Sequence, residues 1–112
     1  MATTNVFTSY VNKNVGTTPA AVVTVGANTQ TTVIGLSFAN TSASPITASA
    51  YITRSGTNYY LISGATVPVG SSLVVVGGDQ KVVLTTSDIL YVVTSAASSA
   101  DVVTSVLNIV TS

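Results

Sequence analysis

Few residues in this chain are capable of chemistry. Asp79, Asp88 and Asp101 are the only side-chain acids, Lys13, Arg54 and Lys81 the only cations, and the formal net charge is zero. Two acids from loops could flank a glycosidic bond as acid and base. Asp79 and Asp88 both stand at turns, however, after Gly77–Gly78 and after Thr85–Ser87. There an aspartate hydrogen-bonds nearby backbone amides, so both read as structural. Calcium would want acids spaced D-x-D-x-D, which do not occur. Gly77–Gly78 is followed by neither a helix start nor G-K-[ST], so it reads as a tight turn and not a phosphate loop. No serine beside Lys13 or Lys81 has a recognisable base. The chain has no Cys, His, Trp or Glu. That removes the Ser-His-Asp triad, the thiol nucleophile, the zinc ribbon and the usual transition-metal ligands. No catalytic residue, metal or cofactor is expected, and the chain reads as a non-enzyme.

A different chemistry is carried by Arg54. It is the only arginine, with Tyr51, Tyr59 and Tyr60 close by in sequence. Arg and Tyr are enriched at interface hot spots, where a planar fork or a rigid ring gives much contact for little lost entropy. Arg54, Tyr51, Tyr59 and Tyr60 are therefore the candidate interface residues. The competing reading is cross-strand ring packing with a solvated arginine at the hairpin tip. Tyr59, Tyr60 and Asn58 also keep a sugar-binding platform in view. Threonine is abundant, but it lacks the regular T-x-T spacing of an ice-binding face.

The elements that position these residues are strands. Val and Thr, twenty and nineteen of the 112 residues, are stiff at χ1 and favour β structure. No apolar stripe recurs at helical spacing. Ile34, Leu36 and Phe38 alternate with Gly35 and Ser37. Likewise Ile46, Ala48, Ala50 and Ile52 alternate with Thr47, Ser49, Tyr51 and Thr53. Each set predicts a half-buried strand with a hydroxyl-rich outer face. Turn signals every 8–15 residues or so bound strands near 4–12, 19–25, 30–39, 46–54, 57–63, 72–76, 80–84, 88–95 and 101–110. Gly64–Thr66 is read as one of those turns, and Pro68 as a connection or edge. Two hairpins are expected, at Ser55–Gly56–Thr57 and at Gly77–Gly78–Asp79. The fold class is all-β: one antiparallel two-sheet β-sandwich of jelly-roll or Greek-key type, with eight or nine strands over residues 1–112. Residues 1–14 are read as an extended N-terminal arm.

Charged residues are only 5% of the chain, and that scarcity bears on function. Three cations cannot build the basic stripe that nucleic acid demands. No apolar run reaches the 18 or so residues of a spanning helix, and no signal peptide is visible. Natural sandwiches guard their edge strands with charge, proline, bulges or covering loops. Here four of the six charges (Arg54, Asp79, Lys81, Asp88) fall at or beside predicted tips, and neutrality promotes association. The working state is expected to be an assembly whose neighbours cover edges or faces. A monomer protected by its hydroxyl surface is the alternative.

The run VIGLSFANTSASPITASAYITRSGTNYYLI, followed by VPVGSSLVVVGGDQKVVLTTSDILYVVTSAASSADVVTSVLNI, resembles small virion structural proteins of tailed bacteriophages, including those of cyanobacteria. Leu36–Ser42, Tyr51–Leu61 and the stretch from Gly77 through Asp88, Leu90 and Val92 carry it, over about residues 20–110. The resemblance implies a capsid cement (decoration) protein, or else a neck or tail subunit. It further implies a virion location after assembly in the host cytoplasm. The implied partners are the chain itself, as a homo-oligomer closing as a trimer, and the major capsid protein, with neither nucleic acid nor membrane.

Overall fold

A computed structural model describes residues 3–77 and 80–111. All regular structure among them is β: β1 (Thr3–Val15), β2 (Ala20–Thr24), β3 (Thr29–Asn40), β4 (Ile46–Arg54), β5 (Thr57–Val67), β6 (Ser72–Val76), β7 (Val82–Leu84), β8 (Ile89–Thr94) and β9 (Ala100–Thr111). They form two antiparallel sheets. One runs β1-β9-β3-β6, with β7 also on β3, and the other β2-β8-β4-β5. First pairs with last, second with second-last, and so inward to the β4–β5 hairpin. This nesting is the jelly roll, the two-sheet solution that closes a long antiparallel ribbon over one core.

The core follows from period-two alternation. Val102, Thr104 and Val106 of β9 face inward, as do Val33, Leu36 and Phe38 of β3, and all are essentially inaccessible. From the other sheet come Ala48 and Ala50 of β4 and Leu90 and Val92 of β8. At the β4–β5 tip, Ser55 and Gly56 both have positive φ, 53° and 78°. That pair of angles is the type I′ turn whose twist matches the strands it joins.

Three expectations are corrected. The segments flanking Gly77 do not form a hairpin. β6 pairs with Leu36–Ala39 and β7 with Thr31–Val33, so both run the same way along one edge of β3, as two pieces of an interrupted strand. Gly78 and Asp79 themselves lie outside the described residues. Ile34 does not share a face with Leu36 and Phe38, because the register shifts between Val33 and Gly35 and Val33 takes the inward place. Gly64–Thr66 is not a turn; it continues β5 past a register shift opposite Ala48 and Ala50, with Gly64 at φ 66°. Within the stretch read as an arm, residues from Thr3 onward form the edge strand β1 expected near 4–12, paired with β9 and exposed through its first five residues.

Candidate functional site

Arg54 ends β4 at the hairpin tip, and the Thr85–Asp88 turn brings Asp88 beneath it. Arg54 Nε donates to Asp88 Oδ1 at 2.9 Å, and Nη2 donates to Oδ2 at 2.6 Å. The Thr85 amide and hydroxyl donate to the same Oδ2, at 2.8 and 3.2 Å. The Asp88 side chain is 2% exposed and that of Arg54 49%. Hydrogen bonds from Arg54, more than any other influence, hold the Asp88 carboxyl below its ordinary value against the opposing effect of burial. The guanidinium is raised in turn, chiefly by the same bonds. Arg54 is thus neither free nor wholly solvated. It clamps the β4–β5 tip to the β7–β8 turn, in a bidentate geometry suited to carboxylate.

The three tyrosines separate. Tyr51 lies on the outer face of the second sheet between Tyr60 of β5 and Tyr91 of β8, with ring centroids 4.9 and 5.4 Å away. Burial, with Tyr60 and Tyr91 adding to it, pushes the Tyr51 hydroxyl up. Tyr59 faces the other side of β5, as consecutive strand residues must. There it borders a depression of about 410 Å³ with Ile52, Arg54 and Val83. Tyr59 and Tyr60 therefore do not form one stacking platform, and Asn58 is engaged by the Thr53 hydroxyl at 2.7 Å. Tyr91 was not singled out in the sequence, since only strand pairing brings it beside Tyr51. Asp101 accepts from the Asn14 amide and lies 3.7 Å from Lys13. Among the described residues no group of three acids, histidines or cysteines is placed to hold a metal.

The larger feature is the outer face of the β1-β9-β3-β6/β7 sheet. Register places Val11, Val103, Ser37 and Val74 in one row across the strands. Phe7, Leu107, Thr32 and Val83 form a second row. Between them run Ser9, Ser105 and Gly35, about 7 Å from either row at two residues' rise. The result is two mainly apolar ridges, each interrupted by one hydroxyl residue, with a shallow trough between them that Ile34 also lines beside Ser9 and Ser105, and no position in these rows is charged. Phe7 and Val11 are each 74% exposed, Val74 64% and Val83 54%. The hydroxyl-rich outer surface expected from alternation is present here at Ser9, Ser105, Ser37 and Thr32, with large apolar side chains beside them. A signal for the ridges exists in the sequence: Leu73–Val76 is apolar without alternation, the pattern of a strand covered on both faces.

No protein-family profile matches this chain, and no curated protein matches it. Solved structures do. The chain is similar to a subunit of Bacillus endospore appendages, described as disulfide-linked pili, with TM-score 0.58 and 16% identity over 100% of this chain and 93% of that one. It is also similar to a chain of the T13 infectious bursal disease virus particle, with TM-score 0.53, 11% identity, and 96% and 35% covered. A chain of the Gx strain of that virus gives TM-score 0.51, 13% identity, and 97% and 33% covered. What is shared is the fold. This chain spans about a third of the virus chains' length, and it has no cysteine with which to form the linkage described for the pili.

Proposed function

We propose that the protein is a structural subunit of a virion without catalytic activity: a cement subunit that self-associates and binds the outer shell of a tailed phage, across contacts between major capsid proteins. The observation that carries this reading is the ridged outer face of the β1-β9-β3-β6/β7 sheet, whose three central rows carry no charge and whose Lys13–Asp101 pair lies at one end. A large exposed apolar patch marks an interaction site. Burying the exposed parts of Phe7, Val11, Val74, Val83 and Val103 would contribute on the order of 5–8 kcal/mol before the cost of association. Repeated over a lattice, modest contacts of that size sum to firm attachment. The jelly roll supports the reading, since that fold serves in particle shells. Self-association, which the sequence resemblance implies as a trimer, belongs to the same proposal without fixing the number of copies.

Particles assembled without the chain test it. Cryo-electron images should lose density from the shell at many equivalent positions, and the particles should burst at milder heat or osmotic shock. An intact shell with a changed neck or tail would refute cement in favour of a neck or tail subunit. A second reading, an open filament, is favoured by near-complete mutual coverage with the appendage subunit. It predicts fibres of the purified chain, held without disulfides.

A further inference from the structure

Every open sheet has edge strands whose outward N–H and C=O groups can template another strand, and proteins blunt such edges by shortening, bulging or breaking them. Three edges here are blunted. β2 has five residues and a register shift between Ala21 and Val23. β5 shifts register twice and contains Gly64. The third edge is broken into β6 and β7. β1 differs. Thr3–Asn12 pairs with β9 residue by residue without a shift, contains neither Pro nor Gly, and has its one charge beyond it at Lys13. On its other side, Thr3–Asn12 has no ladder partner among the described residues.

We infer that β1 pairs with β1 of a second copy, antiparallel about a two-fold axis, joining two β1-β9-β3-β6 sheets into one continuous sheet. This deepens the self-association within the proposed function and rests on it, with a two-fold pair in place of the trimer that the sequence resemblance implies. A second copy fits because a two-fold axis sets each outward N–H opposite a carbonyl of the mate, the self-complementarity an isologous contact requires. The side chains that meet are Thr, Asn, Val, Phe, Ser and Tyr, so no like charges oppose each other. With the axis near the middle of Thr3–Asn12, Lys13 and its mate are on the order of 35 Å apart. The exposed first half of β1 gains cross-strand neighbours for Val6 on one face and Phe7 on the other. The Phe7 and Val11 ridges of the two copies then lie side by side, widening the face offered to a shell.

The absence of cysteine makes a clean experiment. Thr4→Cys, Val6→Cys, Thr8→Cys and Tyr10→Cys are oxidised singly, and native mass is measured by light scattering. Disulfide dimers should peak at the position nearest the axis and fall off on both sides, and the unmodified protein should have twice the 11.2 kDa of one chain. Successive N–H groups of β1 alternate between β9 and the free edge. Of Thr8→Pro and Ser9→Pro, one should therefore lower the melting temperature, while the other keeps the fold and weakens association at least tenfold. Three results overturn the pairing: a trimer mass, a monomer at every concentration, or a dimer that survives both prolines and dissociates on Val74→Glu or Val103→Glu. A monomer that still decorates particles removes the pairing alone; a monomer that ignores particles removes the proposed function as well.

Discussion

Asp88→Ala removes the acceptor at the centre of the Arg54 clamp. The carboxylate is almost wholly buried and accepts from Arg54 Nε and Nη2 and from the Thr85 amide and hydroxyl. Hydrogen bonds to charged groups contribute about 1.5–3 kcal/mol each. Arg54 is half exposed and returns to water when its partner is gone, so part of that is recovered. The net loss should be about 3 kcal/mol at pH 7, which for a domain of this size lowers the melting temperature by about 10–15 °C. The pH dependence has a definite sign. The folded pKa of Asp88 lies below its ordinary 3.8, so its contribution is complete above the unfolded value. It is lost as pH falls through about 4 and on past the folded value. Urea unfolding followed by circular dichroism, for the wild type and Asp88→Ala, should therefore show a gap that is full at pH 7 and narrows below about pH 4. A loss under 0.5 kcal/mol at pH 7, or a gap that does not narrow in acid, would refute the clamp.

Other expected outcomes follow from equally local features. Asn40 is buried, donates to the Ser44 and Val67 carbonyls at 2.9 and 3.0 Å, and accepts from the Ser42 amide and hydroxyl. Asn40→Ala should cost about 2–4 kcal/mol in urea unfolding by orphaning several of these groups. The Thr104 hydroxyl is buried with no hydrogen-bond partner among the described residues. Thr104→Val keeps the shape and should stabilise by about 1 kcal/mol, visible as a melting temperature a few degrees higher. A Cβ on Gly16 would lie 2.9 Å from the Ser98 nitrogen and 3.0 Å from the Ala97 Cα. Gly16→Ala should thus lower the melting temperature, whereas Gly26→Ala, with 4.0 Å to its nearest neighbour, should not clash.

The fold was legible because each local signal agreed with the next. Alternation in Ile46–Thr53, the Ser55–Gly56 turn and the polar breaks between Val-rich runs placed nine strands within a few residues of their bounds. What alternation does not carry is partnership. Leu73–Val76 and the residues after Gly77 looked like two arms of a hairpin, since a Gly-rich turn joins collinear pieces as readily as antiparallel ones; only β3 decides between them. Ile34 was misplaced because a single bulge reverses the face of every residue on one side of it. Asp88 was legible as a turn aspartate, but its bond to Arg54 spans 34 positions and depends on β4 lying beside β8. The apolar ridges escaped notice for the same reason: Val11, Val103 and Val74 come from three strands and form a row only in register.

The proposed function requires that the ridged face be covered by other protein. The most direct measurement is binding of the purified chain to particles that lack it, compared with Val74→Glu/Val103→Glu, which places two charges on one ridge without touching the core. The wild type should saturate the shell, while the double variant, with an unchanged melting temperature, should bind at least a hundredfold more weakly. Equal occupancy by both proteins would overturn the proposed function.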